Sequence, residues 1–164
     1  MVPTDSSTAP AALVVGEPAP AFDLPAAGGG RVSLASFAGK PLVVYFFPKA
    51  DTQGCTREAL AFSALKPAFD RAGVAVIGVS ADPISRQDKF KAKHDLAVAL
   101  GSDETRAMVE AYGVWVEKSL YGKTSMGIER ATVLIGPDGR VARVWRKVKV
   151  DGHADQVLAA ATAL

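Results

Sequence analysis

The sequence predicts an α/β fold, a mixed central sheet with helices on both faces. Three observations carry this. Short apolar, β-rich runs alternate with amphipathic helical patterns over much of the chain, which calls for parallel strands joined by helices. Late in the chain, two strand-like runs flank Gly136-Pro137-Asp138-Gly139, strong turn chemistry that adds an antiparallel edge. The 164 residues, 49% hydrophobic and 22% charged, are enough for one domain with a sizeable core.

Residues 1–12 are rich in Ser, Thr, Pro and Ala and read as a flexible tail, leaving 13–164 as a single domain. Gly28-Gly29-Gly30 makes a turn between short strands around Phe22–Leu24 and Arg31–Ser33. Leu42–Phe47 is continuously apolar and β-rich, as a central buried strand must be, and Pro48 stops it. After the loop 49–54, a helical pattern runs on from Cys55. Its apolar stripe is Leu60, Ala64, Leu65, Ala68 and Phe69, and Pro67 is expected to kink it. Val74–Ser80 is a second buried strand, Ile84–His94 a charged amphipathic helix and Ala97–Leu100 a short strand. Glu104–Tyr112 is a helix ended by Gly113. Ala131–Ile135 and Arg140–Arg146 form the hairpin, and Ala154–Leu164 is a terminal helix.

Charge and hydropathy exclude several functions. The net charge is +2, with 19 basic against 17 acidic residues, too balanced for a nucleic-acid binder. The densest basic run, Arg146-Lys147-Val148-Lys149, reads as a solvated strand edge. No run approaches the roughly 18 apolar residues of a membrane span, and the start lacks the basic residues of a secretory signal. A cytoplasmic protein without a membrane partner is expected, and one cysteine agrees with this.

That cysteine, Cys55, has an informative position. Ligands of such sheets bind beyond the carboxyl ends of the parallel strands, where the loop after Leu42–Phe47 begins. Cys55 falls in the first turn of a helix, where free N–H groups and the helix dipole stabilise a thiolate. Free cysteine is also among the most buried residue types and often merely packs. On these grounds alone, a reactive and an inert thiol stand level.

The surrounding residues add a resemblance. Pro48…Thr52-Gln53-Gly54-Cys55-Thr56-Arg57-Glu58 resembles the peroxidatic motif of peroxiredoxins, in particular the bacterioferritin comigratory protein, or PrxQ, branch. Three further blocks resemble the same branch: Tyr112-Gly113-Val114-Trp115 with Glu117-Lys118 and Tyr121-Gly122-Lys123; Gly127 to Thr132; and Val144 to Lys149 with Gly152-His153. The likeness covers about Val15 to Leu164.

The resemblance implies a thioredoxin-like fold and a thiol-dependent peroxidase acting on hydrogen peroxide and organic hydroperoxides without a cofactor. It implies that Cys55 attacks the peroxide and becomes a sulfenic acid. Pro48 would shield the sulfur, and Thr52 would hydrogen-bond thiolate and peroxide. Arg130 would stabilise the thiolate and the charge developing on oxygen. Gly54 belongs to the pocket loop, and Glu58 would hold local polar groups. Without the resemblance, Arg130 would read as a surface ion-pair former.

Two departures from the branch stand out. Gln53 replaces its usual proline. Where relatives carry a resolving cysteine, this chain has Leu60 and, by register, Lys91. With one cysteine no internal disulfide forms, so an external thiol must reduce the sulfenic acid: thioredoxin, glutaredoxin or glutathione. A monomer or weak homodimer is expected. His94 and His153 lack metal-ligand spacing and read as surface or capping residues; Tyr112 reads as packing, and Trp145 as either packing or pocket lining. Two other functions remain. Thiol–disulfide exchange would want Cys-x-x-Cys, but Thr52 holds its first place. A redox sensor or holdase would oxidise and turn over little.

Overall fold

A computed structural model describes residues 13–164; the tail expected over 1–12 lies outside the described residues. Its centre is a five-stranded sheet of β3 (Leu42–Phe46), β4 (Ala75–Ser80), β5 (Ala99–Ser102), β8 (Ala131–Ile135) and β9 (Val141–Trp145), in the order β5-β4-β3-β8-β9. The pairs β3–β4 and β4–β5 are parallel, and β8 and β9 run antiparallel to their neighbours. This is the mixed sheet the sequence predicts. A separate small hairpin is formed by β1 (Asp23–Pro25) and β2 (Arg31–Ser33).

Because side chains alternate along a strand, β3 feeds two cores. Leu42, Val44 and Phe46 pack with Met108, Val109 and Tyr112 on one face. Val43, Tyr45 and Phe47 pack on the other with Cys55, Phe62, Phe69, Phe90 and Val157. The first face is covered by α4 (Ala107–Ala111) and the small hairpin. The second is covered by α1 (Gln53–Ala64), α2 (Lys66–Arg71), α3 (Ile84–Lys93) and α5 (His153–Thr162). Tyr112 packs as expected, fully buried, its hydroxyl donating to the Pro20 carbonyl at 2.6 Å. Among the described residues, no helix is long and apolar enough to cross a membrane.

Several expectations need correction. The long helix after the loop is two helices meeting at Leu65, and Pro67 sits in the first turn of the second. There its missing N–H has no helical acceptor to lose, so the chain breaks cleanly instead of kinking. The buried stripe of α1 is Cys55, Glu58, Ala59 and Phe62, whereas Leu60 is 44% exposed. The true stripe carries a carboxylate, which an apolar pattern cannot reveal. Strand β5 begins two residues later than expected, and in the segment before it the Lys91 ammonium donates to the Leu96 and Val98 carbonyls at 2.8 Å each. The run 146–149 lies beyond β9 rather than on it, and Arg146 pairs with Glu129.

One hairpin departs from the expected elements. Strands β6 (Trp115–Leu120) and β7 (Lys123–Ile128) pair around Tyr121-Gly122, both at positive φ. Two positive-φ residues are the signature of a two-residue primed turn. The residue–glycine pair between two six-residue runs is the available signal. The largely exposed faces of β7 mask it, because they carry no apolar alternation.

Candidate active site

Strand β3 ends at the mouth of the sheet, and residues 47–52 lead from it into α1. Polar ties hold this loop. The Ala50 N–H donates to Asp82 at 2.7 Å, and Asp51, at φ 63°, takes Lys93 at 2.9 Å and His94 at 3.0 Å. His94 thus anchors the loop, and its ring also meets Phe90 edge-on.

Thr52 caps α1 through its backbone, and Cys55 is the third helical residue. The N–H groups of a first turn have no helical acceptors and face outward as donors. The Thr52 hydroxyl donates to the Lys49 carbonyl at 2.9 Å. Its proton is therefore directed away from the sulfur expected to receive it, and its oxygen is left to accept. Gln53 occupies the first helical position, exposed, where proline is also tolerated.

Arg130, just ahead of β8, reaches this helix from 75 residues away in sequence. Its Nη2 donates to Cys55 Sγ at 3.3 Å and its Nη1 to Glu58 Oε1 at 2.6 Å. Cys55 is only 1% exposed. Gly54 makes room for the guanidinium: a Cβ there would lie 3.2 Å from Nη2. Next to Arg130, Glu129 takes Arg146 at 2.7 and 3.1 Å and the Lys147 N–H at 3.0 Å. The Val148 N–H donates to the Arg130 carbonyl at 2.9 Å. The Glu129–Arg146 clamp fixes the backbone that carries Arg130, and no local pattern in the sequence marks it.

Glu58 is a charge-bearing group in the core. Burial raises its carboxyl to about 7 against the pull of Arg130, and its Oε2 has no hydrogen-bond partner. For Arg130, burial opposes the charge, but Glu58 and then Cys55 outweigh it and hold the guanidinium protonated. The Tyr45 hydroxyl is likewise buried without a partner, its pKa pushed up by burial and then by Glu58.

His153 corrects an expectation. It is 4% exposed, not at the surface, and its Nε2 lies 2.7 Å from Thr132 Oγ1. Trp145 and Phe62 meet its ring edge-on, so Trp145 packs here. Burial, with Arg130 adding, lowers the His153 pKa to about 4.

Glu58 and His153 have opposite linkage signs. Between pH 4 and 6.5 the unfolded chain holds the His153 proton more tightly, so stability rises with pH. Between 4.5 and 7 the folded chain holds the Glu58 proton more tightly, so stability falls with pH. Each effect amounts to about 2 kcal/mol from pH 5 to 6.5. Urea melts should find the wild type nearly flat over that interval, Glu58→Gln rising with pH and His153→Gln falling. Parallel profiles for all three would refute this pairing.

The chain is similar to known proteins over most of its length. Residues 15–144 match the AhpC/TSA family. The chain is 51% identical over 145 residues to Peroxiredoxin Bcp of Xanthomonas campestris pv. campestris, covering 87% of this chain and 91% of that protein. Among solved structures, Xanthomonas campestris bacterioferritin comigratory protein, studied for alkyl peroxide reduction, superposes with a TM-score of 0.83. It is 48% identical, over 87% of this chain and 90% of that one. A mutant of Xylella fastidiosa PrxQ gives a TM-score of 0.88 at 36% identity, over 93% and 98%.

Proposed function

Since the chain belongs to the AhpC/TSA family and is a thiol-dependent peroxidase of the Bcp branch of peroxiredoxins, we propose that Cys55 is its peroxidatic residue, served by Thr52 and Arg130. The observation that carries this is the 3.3 Å contact from Arg130 Nη2 to the sulfur.

The Cys55 thiolate attacks one oxygen of hydrogen peroxide or an organic hydroperoxide. The S–O bond forms as the O–O bond breaks, and the departing oxygen leaves as water or an alcohol once protonated. Cys55 is left as a sulfenic acid. Arg130 and the first-turn N–H groups of α1 stand ready for charge on sulfur and on the departing oxygen, with no reorganisation needed. The Thr52 oxygen, its proton already donated, accepts from the peroxide O–H and holds the two oxygens in line. Pro48 shields the approach to the sulfur, Gly54 in the first turn of α1 leaves space for Arg130, and Glu58 aims the guanidinium. No cofactor or metal is called for. We take residues 13–164 as the unit carrying this activity. A reducing, cytoplasmic setting suits a chemistry that returns Cys55 to the thiol, and a monomer or weak homodimer suffices, with no nucleic-acid or membrane partner.

The sequence holds one cysteine, so an external thiol resolves the sulfenic acid. One equivalent of hydrogen peroxide should remove the thiol rapidly and add one oxygen to the intact mass, with no change in Cys55→Ser. A thiol still reduced after hours would defeat the reading. Fast oxidation without turnover on any added thiol would instead favour a redox sensor or holdase.

A further inference from the structure

A cavity of about 500 Å³ lies at the end of the sheet away from Cys55. It is lined by the residues that open β4 and by Lys40, just ahead of β3, whereas Cys55 follows the opposite end of β3. Its size suits a small-molecule site, a class that runs from about 300 to 1,000 Å³. Ala27, Val32, Phe37 and Val76 give it an apolar wall. Four cations from separate segments also line it: Arg31 on β2, Lys40, Lys66 on α2 and Lys91 on α3. Asp70 is the one acid among the lining residues.

This charge is only partly neutralised. Arg31 pairs with Asp23 at 2.8 Å and Lys66 with Asp70 at 2.7 Å, whereas among the described residues Lys40 and Lys91 have no carboxylate partner. Two positive charges therefore stay uncompensated around an apolar recess. Lys91 is fixed in place. It is half-buried, and its Nζ donates to the Leu96 and Val98 carbonyls at 2.8 Å each. An ammonium has three donors, so one is left over. Burial and then Lys66 lower the proton affinity of Lys91, with Asp95 opposing. Lys66 and Lys91 thus repel across the cavity they both line, and an anion between them relieves that repulsion.

We propose that this cavity binds a phosphate monoester with a flat apolar body, of the nucleoside monophosphate class. The charge matches, because a phosphate monoester carries about 1.5 to 2 negative charges at pH 7. So does the geometry of the donors. Ammonium groups arriving from separate elements suit a tetrahedral anion, whose oxygens point several ways. A planar carboxylate is better met by the fork of an arginine, and the one arginine here is held by the side chain and carbonyl of Asp23. Phe37 and its apolar neighbours offer a ring a surface to lie on. Inorganic phosphate would leave that wall unused, and a neutral nucleoside would leave the lysines unanswered. The site stands apart from the peroxide chemistry, since none of Cys55, Thr52 and Arg130 lines it.

Equilibrium dialysis of the full chain against adenosine monophosphate, adenosine and inorganic phosphate tests this. The monophosphate should bind saturably, and about 10-fold or more tightly than either fragment, the scale of a charge-assisted hydrogen bond. Lys40→Gln/Lys66→Gln should weaken it by about 10-fold or more. Lys40 is exposed and Lys66 sits in a surface ion pair, so the fold should tolerate both changes. Lys123→Gln/Lys149→Gln removes the same charge from exposed sites outside the cavity. It should stay within about 2-fold of the wild type, because distant exposed charges are screened. No saturation at millimolar monophosphate, equal binding of either fragment, or equal losses in the two double variants would each overturn the proposal. Displacement of the monophosphate by a lower concentration of phthalate, a flat dicarboxylate, would overturn the phosphate assignment.

Discussion

Arg130→Met slows oxidation of Cys55 by hydrogen peroxide by about 10²–10³-fold, the usual cost of losing a preorganised donor to developing charge. Stopped-flow thiol loss under excess peroxide measures it. Methionine keeps much of the apolar stem and deletes both bonds at once, to Cys55 Sγ at 3.3 Å and to Glu58 Oε1 at 2.6 Å. Glu58, buried and deprived of its cation, takes up a proton rather than keep an unpaired charge. Arg130→Met/Glu58→Gln therefore serves as the control for folding: it removes the orphaned acid and should keep the slow rate. Arg130→Lys should fall between, because one ammonium cannot span sulfur and carboxylate as the planar fork does. A folded Arg130→Met reacting at the wild-type rate would remove Arg130 from the chemistry.

The largest stability loss is expected from the smallest change, Gly78→Ala. Gly78 on β4 faces Tyr45 on β3, and an added Cβ would stand 2.5 Å from the ring Cζ and 2.7 Å from the hydroxyl. The ring has little room to retreat, being fully buried and stacked on Phe62 at 4.6 Å with Phe47 beside it. Overpacking of this kind costs about 3 kcal/mol, a fall in Tm of about 6–12 °C for a domain of this size. Phe62 lies about two turns along α1 from Cys55, so a displaced ring should also slow the peroxide reaction. A double-mutant cycle with Tyr45→Leu should show strong coupling, since removing the ring frees the space. An unchanged melting temperature for Gly78→Ala would show that the core yields where the contact distances say it cannot.

Much of this was legible along the chain. Leu42–Phe47, Val74–Ser80 and the Gly136–Gly139 turn carry enough local signal to name the sheet, its parallel pairs and its antiparallel edge. The spacing from Pro48 through Thr52 to Cys55, and the Gly127–Arg130 block, carry the resemblance that points to peroxidase chemistry. The misses share a cause. Leu60 looks apolar and Glu58 looks polar, yet Glu58 is the buried one, because its partner Arg130 comes from 72 residues away. His153 looks like a surface residue until Thr132, Trp145 and Phe62 close around it. The β6–β7 hairpin has no apolar alternation because β7 is exposed on both faces over its first four residues.

The sequence by itself determined the alternation of strands and helices along the chain, the single thiol and the need for an external reductant, since these depend on which residues exist and how they are spaced. Only the tertiary structure decided that Cys55, Glu58 and Arg130 form one hydrogen-bonded group, and that the Thr52 hydroxyl turns its proton to the Lys49 carbonyl. Local pattern encodes which face a residue prefers when neighbours are averaged. It cannot encode a buried carboxyl whose partner is a guanidinium carried in from the start of a distant strand.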